Sequence, residues 1–235
     1  GVVRAPFLLE MASDLSSSLF TIANLFSFTA FAWGIAALFA GVASDRIGRR
    51  PLLIIAHLAL IAGMIGVAYS HSYAAVAAWT LVAGAGGGGH MGVIFAAVSD
   101  RVAEARRGRA LGWIITGQSL SFVVGVPLAT WIGSFTDWRG VMLCVAIADL
   151  LAILALRAAL PGGRHDGAAT RLSLRQMVPD GRIALLLAAG TTERVCYGIV
   201  AVYFATLLKL RYGLSLAQLP LPLAMMAAGN LMGNA

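Results

Sequence analysis

Charged residues are scarce in this chain. Asp, Glu, Lys and Arg make up 11% of its 235 residues, whereas hydrophobic residues make up 60%. The mean hydropathy is +0.86. Soluble globular domains carry about 25% charged residues, so this composition excludes an ordinary soluble domain and indicates a membrane protein.

Cysteine is nearly absent as well. The two cysteines, Cys144 and Cys196, fall inside apolar runs, where we expect buried thiols, and belong to no spaced cysteine–histidine pattern. A disulfide framework and a zinc site are therefore unsupported. We expect neither a metal nor another cofactor.

Lysine occurs once, at Lys209, so arginine supplies almost all of the positive charge behind the formal net charge of +7. The arginines occur in short turns between apolar runs and form no solvent-facing stripe with interleaved aromatics. This placement argues against a nucleic-acid partner and favours membrane topology, with the lipid bilayer as the partner.

The apolar runs have the length that a helix needs to cross a bilayer, about 20 residues. They predict seven helices and the start of an eighth, at 1–12, 19–40, 51–69, 74–98, 110–134, 141–160, 183–208 and from 217. The polar segment 161–182 is rich in Pro, Gly and mixed charge and is interpreted as a linker. We expect a bundle at 1–160 and the start of a second at 183–235. Because the chain begins without Met and both of its ends lie in apolar runs, we interpret it as part of a longer protein.

Basic residues are distributed unequally between the two sides of these helices. One side has Arg139, Lys209 and Arg211, and the other has Arg46, Arg49, Arg50, Arg101, Arg106, Arg107, Arg109, Arg157, Arg164, Arg171, Arg175 and Arg182. Basic loops favour the cytoplasm. The richer side, including the linker, is therefore predicted to be cytoplasmic.

The most densely charged turn reads GVASDRIGRRPLL, residues 41–53, between the second and third predicted helices. Such charges are unfavourable in hydrocarbon, so the chain must reach the membrane surface here and turn back. The glycines permit close backbone approach, Pro51 suits the first turn of a helix, and Asp45 can pair with the arginines. On these grounds alone, the stretch is a basic turn that anchors two helices to headgroups.

The order of residues in this turn, G-x-x-x-D-R-x-G-R-R, resembles the loop signature of the major facilitator superfamily, at Gly41, Asp45, Arg46, Gly48, Arg49 and Arg50. The layout of six helices, a linker and further helices also resembles this superfamily. The resemblance implies an alternating-access transporter of two bundles, with the substrate site between them near the bilayer midplane. It places the loop in the cytoplasmic gate.

An acid partner for this loop is expected at Asp100, where relatives often keep one. Arg49 lies one helical turn after Asp45. We therefore expect Arg49 to bridge Asp45 and Asp100 and to hold the inner gate shut.

Residues 84–89, GAGGGG, formally match the dinucleotide-binding pattern G-x-G-x-x-G, but no strand or soluble βαβ unit accompanies them. Glycines inside a membrane helix allow a neighbouring helix to approach closely or the helix to bend. Helix packing is the favoured interpretation.

Residues 117–121, GQSLS, partly match intramembrane serine proteases. Ser119 would then need His57 or His90 at matching depth, and Leu120 replaces the glycine that such proteases carry next. A hydroxyl that bonds to its own helix backbone is the commoner arrangement.

The fifth predicted helix carries Gly117, Gly125 and Pro127 in a stretch that resembles the signature of drug and sugar proton antiporters, with Val126 where relatives usually place glycine. Pro127 removes a backbone hydrogen bond and the glycines leave a groove. We expect a bent helix into which another helix packs. The alternative is a kink that serves helix packing alone and has no role in transport.

The fourth helix departs from the pattern of relatives. Many of them carry an arginine that helps to couple protons where this chain has Thr80. The coupling role is therefore not carried over to this position.

Charged residues inside apolar runs are functional candidates by default, and Arg4, Asp149, Glu193 and Arg194 lie near mid-membrane. The first and seventh helices line the cavity in the superfamily, so Arg4, Glu193 and Arg194 are the leading substrate or proton residues. Glu193 either carries the proton or forms a structural ion pair with Arg4 or Arg194. Asp149 is interpreted as a packing acid or one member of an internal pair.

Two further side chains are candidates of lower rank. His90 lies closer to the cytoplasmic end, where we expect helix packing more than proton transfer. Gln118, on the fifth helix, can offer a hydrogen bond to a substrate.

These features predict a non-enzymatic secondary transporter of the bacterial inner membrane, monomeric when complete. It would export a drug-like or sugar-like small molecule in exchange for protons, driven by the proton gradient. The alternatives are a proton symporter or facilitator for uptake, and a non-transporting membrane sensor or scaffold. Isolated charges at mid-membrane argue against the scaffold.

Overall fold

The computed structural model describes residues 2–159 and 181–233, which form helices joined by short turns, with no strand in these ranges. A 3-10 helix at Val2–Phe7 precedes nine α-helices of the described chain: α1 Leu8–Asp14, α2 Leu19–Ile47, α3 Arg49–Ala68, α4 Tyr73–Arg101, α5 Glu104–Leu120, α6 Val126–Gly133, α7 Trp138–Ala159, α8 Gly181–Tyr212 and α9 Pro220–Gly233. The predicted linker, 161–182, lies outside the described residues except for its last two.

Five segments are long and apolar enough to cross a membrane: Leu19–Ile47, Arg49–Ala68, Tyr73–Asp100, Glu104–Gly133 and Trp138–Arg157. Large apolar side chains cover their outer surfaces; Phe20 and Leu38 are each 74% exposed. Such a surface is stable only against lipid, since water would not solvate it. The predicted all-α membrane class is confirmed.

Helix ends differ from the predicted ones because the helices continue beyond the apolar runs. α2 reaches Ile47, seven residues beyond its predicted end, and α5 begins at Glu104 instead of residue 110. A helix satisfies its own backbone hydrogen bonds, so it can carry charged side chains out to the membrane surface. The basic turn is therefore mostly helical.

The central helix α4 packs against both α2 and α3. A Cβ at Gly88 would overlap the carbonyl oxygen of Trp33 on α2, and one at Gly86 would lie 2.6 Å from the carbonyl oxygen of Ala56 on α3. Only glycine permits backbones to approach this closely. The packing interpretation of the GAGGGG run is confirmed.

The main buried cluster joins the chain start to α2, α3, α4 and α7, with Phe7, Met11, Trp138 and Met142 at most 1% exposed. A second, smaller cluster around Ala205 connects α6, α8 and α9. The cysteines lie outside both. Cys144 and Cys196 are exposed, contrary to our expectation, because each lies on a helix face that no described element covers.

Candidate functional site

Arg49 is the centre of an ion-pair cluster at the point where α2 passes into α3. Its guanidinium lies 3.0 Å from an Asp45 carboxylate oxygen, and its Nε lies 3.1 Å from Asp100 Oδ2. It also donates to the hydroxyl of buried Ser44. Both ion pairs that the sequence predicts are present, and the cluster joins α2, α3 and α4.

The local sequence explains this geometry. Gly48 adopts φ +94°, a conformation that L side chains rarely adopt, and so lets α3 begin directly after α2. Arg49 is then the first residue of α3, within reach of Asp45 in the last turn of α2. Pro51 falls in the first helical turn, as predicted, where its missing amide hydrogen has no helical partner to lose. Asp100 comes from the last turn of α4.

The remaining residues of the signature differ in their contacts and exposure. Arg50 donates to the carbonyl oxygen of Arg157 over 3.1 Å and connects α3 to α7. Arg46 is exposed. A Cβ added at Gly41 would meet no described atom within 4 Å, so this glycine makes no close backbone approach within residues 2–159 and 181–233.

Arg4 is buried at the start of the chain, 3% exposed. Its guanidinium donates to Thr80 Oγ1 over 2.6 Å and to Thr29 Oγ1 over 2.7 Å, and its Cζ lies 5.9 Å from the centre of the Phe26 ring. Its Nε has no hydrogen-bond partner among the described residues. The structure therefore brings a guanidinium from the first helix to Thr80, the position where many relatives carry an arginine.

Other candidates fall partly outside what the structure describes. Glu193 and Arg194 belong to the helix α8. Their side chains, and that of Ser119, lie outside the described part. The ion pair of Glu193 with Arg4 or Arg194 and the protease alternative therefore stay predictions.

His57, on α3, joins the candidates Asp149 and His90. Its Nε2 lies 3.8 Å from Asp149 Oδ1 on α7, and its ring packs edge-on against the His90 ring on α4, with 4.4 Å between the centroids. The sequence selected His90 and Asp149 separately and considered His57 only as a protease residue. No sequence spacing could have grouped them, because their proximity depends on how three helices pack.

The fifth membrane segment is irregular where the sequence predicts a bend. A π-helical turn covers Ser121–Gly125, just before Pro127, which has no amide hydrogen to donate to the carbonyl of residue 123. A Cβ at Gly117 or Gly125 would meet no described atom within 4 Å, and Gln118 is exposed. α9 packs against the π turn and α6, so the expected helix contact lies beside these glycines.

A second polar cluster lies at the opposite end of the bundle, which we call the Asp14 end, as distinct from the Arg49 end. Asp14 accepts hydrogen bonds from Arg139 over 2.5 Å and from Trp138 Nε1 over 2.9 Å. The hydrogen bonds from Trp138 and Arg139 lower the pKa of Asp14. Lys209 on α8 lies 2.5 Å from Glu10 Oε1 and donates to the Pro6 carbonyl over 2.7 Å. The sequence placed Arg139 and Lys209 on the side with few basic residues and did not indicate Asp14 or Glu10 as their partners.

No group of three or more His, Cys, Asp or Glu side chains in the described ranges is arranged to hold a metal ion. An apolar cavity of about 260 Å³ lies between α2, α3 and α4. Its lining, which includes Phe39, Leu52 and Gly86, carries no polar side chain and so offers no hydrogen bond to a substrate.

The fold is that of a polytopic helical membrane protein, and the Arg49 cluster lies in the turn that resembles the loop signature of the major facilitator superfamily. The family model of the Major Facilitator Superfamily matches residues 3–235, and the chain belongs to this family. It is 31% identical to a chloramphenicol resistance protein of Streptomyces lividans, over 77% of this chain and 47% of that protein. It is 23% identical to the MFS-type transporter YceJ of Bacillus subtilis, over 88% of this chain and 54% of that protein. The chain thus spans about half the length of these curated relatives.

Proposed function

We propose that this chain serves in the export of a small molecule across the bacterial inner membrane, by alternating access and in exchange for protons. The Arg49 cluster carries the proposal. It lies in the turn that resembles the family's gate, and it joins the ends of α2, α3 and α4 through Asp45 and Asp100.

The cluster suits a gate because its contacts are weak enough to break. The Arg49 side chain is 21% exposed, and those of Asp45 and Asp100 are 44% and 35% exposed. Ion pairs of this exposure contribute roughly 0–1 kcal/mol each. Two of them can bias two conformations that differ by a few kcal/mol without locking either one.

Efflux of a drug-like compound is supported by the relative named chloramphenicol resistance protein. Chloramphenicol is therefore the first compound to test. Sugar-like compounds form the second set, because the fifth helix resembles drug and sugar antiporters.

Proton coupling is supported by the charges within the membrane segments. Arg4 is held by two threonine hydroxyls and supplies a fixed positive charge, and Glu193 on α8 is the proposed proton carrier. Substrate and protons would use the space between the two bundles in turn. Such a transporter needs no cofactor, and we propose that it works as a monomer.

The test is transport by the full-length protein in liposomes, with labelled chloramphenicol and an imposed pH gradient. Substrate should move against the proton flux, and Glu193→Gln should abolish the response to the gradient. Transport that ignores the gradient would remove the antiport claim. Substrate and protons moving in the same direction would indicate a symporter, and failure of every compound to move would favour a sensor or scaffold.

A further inference from the structure

A second set of titratable groups meets within the first bundle, apart from the Arg49 cluster and Arg4. His57 is 4% exposed and lies between Asp149 of α7 and His90 of α4. Asp149 Oδ2 and His90 Nδ1 are buried and have no hydrogen-bond partner among the described residues. Buried polar atoms are rarely left unpaired, so this cluster needs an explanation.

The proton positions on His57 follow from one hydrogen bond. His57 Nδ1 lies 2.8 Å from the carbonyl oxygen of Leu53, one helical turn earlier. A carbonyl oxygen only accepts, so Nδ1 must carry a hydrogen. In the neutral ring, Nε2 then presents its lone pair.

That lone pair faces an oxygen of Asp149 at 3.8 Å. With His57 neutral and Asp149 ionised, two acceptors face each other and no hydrogen lies between them. A single added proton removes this conflict, because Nε2–H would then donate to the carboxylate. One added proton would supply the hydrogen that is missing between His57 Nε2 and Asp149 Oδ1.

We propose that His57 and Asp149, with His90 against the His57 ring, form a proton-binding site that takes up one proton between His57 Nε2 and Asp149 Oδ1. The proton comes from water, no covalent bond between heavy atoms changes, and the neutral imidazole becomes an imidazolium that donates to the carboxylate. A metal ion is not required.

No other charged group in the described helices packed against His57 competes for this role. The other charged side chains of α3, α4 and α7 are Arg49, Arg50, Asp100, Arg101, Arg139 and Arg157, and those of α2 are Asp45 and Arg46. All of them lie at or near helix ends. Within the middle of these helices, the titratable groups are His57, His90, Asp149 and the thiol of Cys144, and that thiol is exposed.

The position of the site connects it to the Arg49 end. His57 lies eight residues after Arg49 on α3, about 12 Å along the helix. Asp149 lies eight residues before Arg157 on α7, and Arg50 binds the Arg157 carbonyl. Proton binding draws α3 towards α7 and therefore acts on the helix that carries Arg49. The link between this proton site and transport rests on the proposed function.

The test is nitrogen-15 NMR of the histidine rings in the full-length protein, in lipid nanodiscs, between pH 5 and 9. His57, assigned through His57→Gln, should gain its Nε2 hydrogen as the pH falls. Asp149→Asn removes the carboxylate acceptor and should weaken this gain of a hydrogen. His71 is exposed in the turn after α3 and is the matched control, whose signal should stay unchanged in Asp149→Asn.

A second measurement separates a proton site from a structural pair. Proton uptake by the whole protein on acidification, followed with a pH indicator, should fall by one proton per molecule in His57→Gln. The pH profile of transport should flatten in His57→Gln. A His57 ring that keeps the same hydrogens across the pH range, or uptake unchanged in His57→Gln, overturns the proposal.

These results can be separated from those for the transport proposal. If His57 titrates as expected and transport ignores a pH gradient, the proton site stands and the antiport claim fails. If transport is driven by protons while His57 does not titrate, antiport stands and this site is wrong.

Discussion

The two ends of the bundle hold their helices together differently. At the Arg49 end, Arg49 pairs with Asp45 and Asp100 and joins α2, α3 and α4, all of which we assign to one bundle. At the Asp14 end, Lys209 of α8 bonds to Glu10 of α1, which joins helices that we assign to different bundles. The first contact joins helices of one proposed bundle, and the second joins a helix of each proposed bundle.

The two contacts also differ in their exposure to water. The Lys209 side chain is 8% exposed and Glu10 is 36% exposed, whereas Arg49, Asp45 and Asp100 are all more than 20% exposed. Partly buried charge pairs are screened less by salt than exposed pairs. We therefore expect the Arg49 pairs to loosen at a lower salt concentration than the Lys209–Glu10 pair.

The largest effect should follow removal of Arg49. Arg49→Gln removes two ion pairs and the bond to Ser44 together, so transport in liposomes should fall about thirtyfold, or ~2 kcal/mol at 1.4 kcal/mol per factor of ten. Melting temperature should shift by only a few degrees, because the pairs are exposed. Asp45→Asn should slow transport less.

Arg46→Gln is the matched control for this loss, because Arg46 carries the same charge in the same turn and is exposed. Its transport should stay within about twofold of the wild type. An equal loss in Arg46→Gln would mean that the charge of the turn matters and the bridge does not.

The second effect tests the turn that positions Arg49. Gly48→Ala places a side chain at φ +94° and ψ 152°, a region used essentially by glycine alone that costs other residues about 1–3 kcal/mol, so thermal unfolding should occur several degrees lower. Gly41→Ala is its counterpart in the helix interior, where a Cβ has room and alanine is favoured by up to about 1 kcal/mol. Opposite signs at the two glycines are expected; equal destabilisation would contradict the positive-φ turn assigned to Gly48.

The third effect tests the contact at the Asp14 end. Lys209→Gln leaves Glu10 without its cation, so α8 should separate from α1. Spin labels placed at the exposed positions Ser13 and Tyr212 should report a longer and broader distance distribution in this variant. A distribution identical to that of the unmutated protein would show that Lys209 does not hold the two helices together.

The smallest effect concerns Asp14. Because its hydrogen bonds to Trp138 and Arg139 lower its pKa in the folded state, the stability it contributes is full above its unfolded pKa, about 3.9, and is lost as the pH falls through its lower folded pKa. Asp14→Asn should remove that part of the acid dependence, worth a few degrees of melting temperature at most for an exposed pair. The melting curves of both forms between pH 2 and 6 measure it.

Much of this arrangement could be predicted from local sequence. Runs of about 20 apolar residues predicted the membrane helices. The four-residue spacing of Asp45 and Arg49 predicted their ion pair as neighbours on one helix, whereas the structure brings them together across the Gly48 turn between α2 and α3. The glycine run predicted close helix packing, because glycines within a membrane helix let a neighbouring helix approach. Local spacing did not predict how far α2 continues past residue 40.

Contacts between distant helices could not be predicted in the same way. Arg4 meets Thr80 across 76 residues, and Lys209 meets Glu10 across 199. His57, His90 and Asp149 come together only because α3 packs against both α4 and α7 with particular rotations. The sequence marked several of these residues as unusual without indicating their partners.

The glycines of α4 have a further consequence for how the bundle assembles. Glycine has no side chain whose rotamers must be fixed, so bringing α4 against α2 and α3 loses no side-chain conformational entropy at Gly86 and Gly88. Within a bilayer, lipid tails are as apolar as the helices, and helix association depends on close backbone contact and dispersion forces. We therefore expect α2, α3 and α4 to associate early during membrane insertion and to provide the surface onto which α7 then docks.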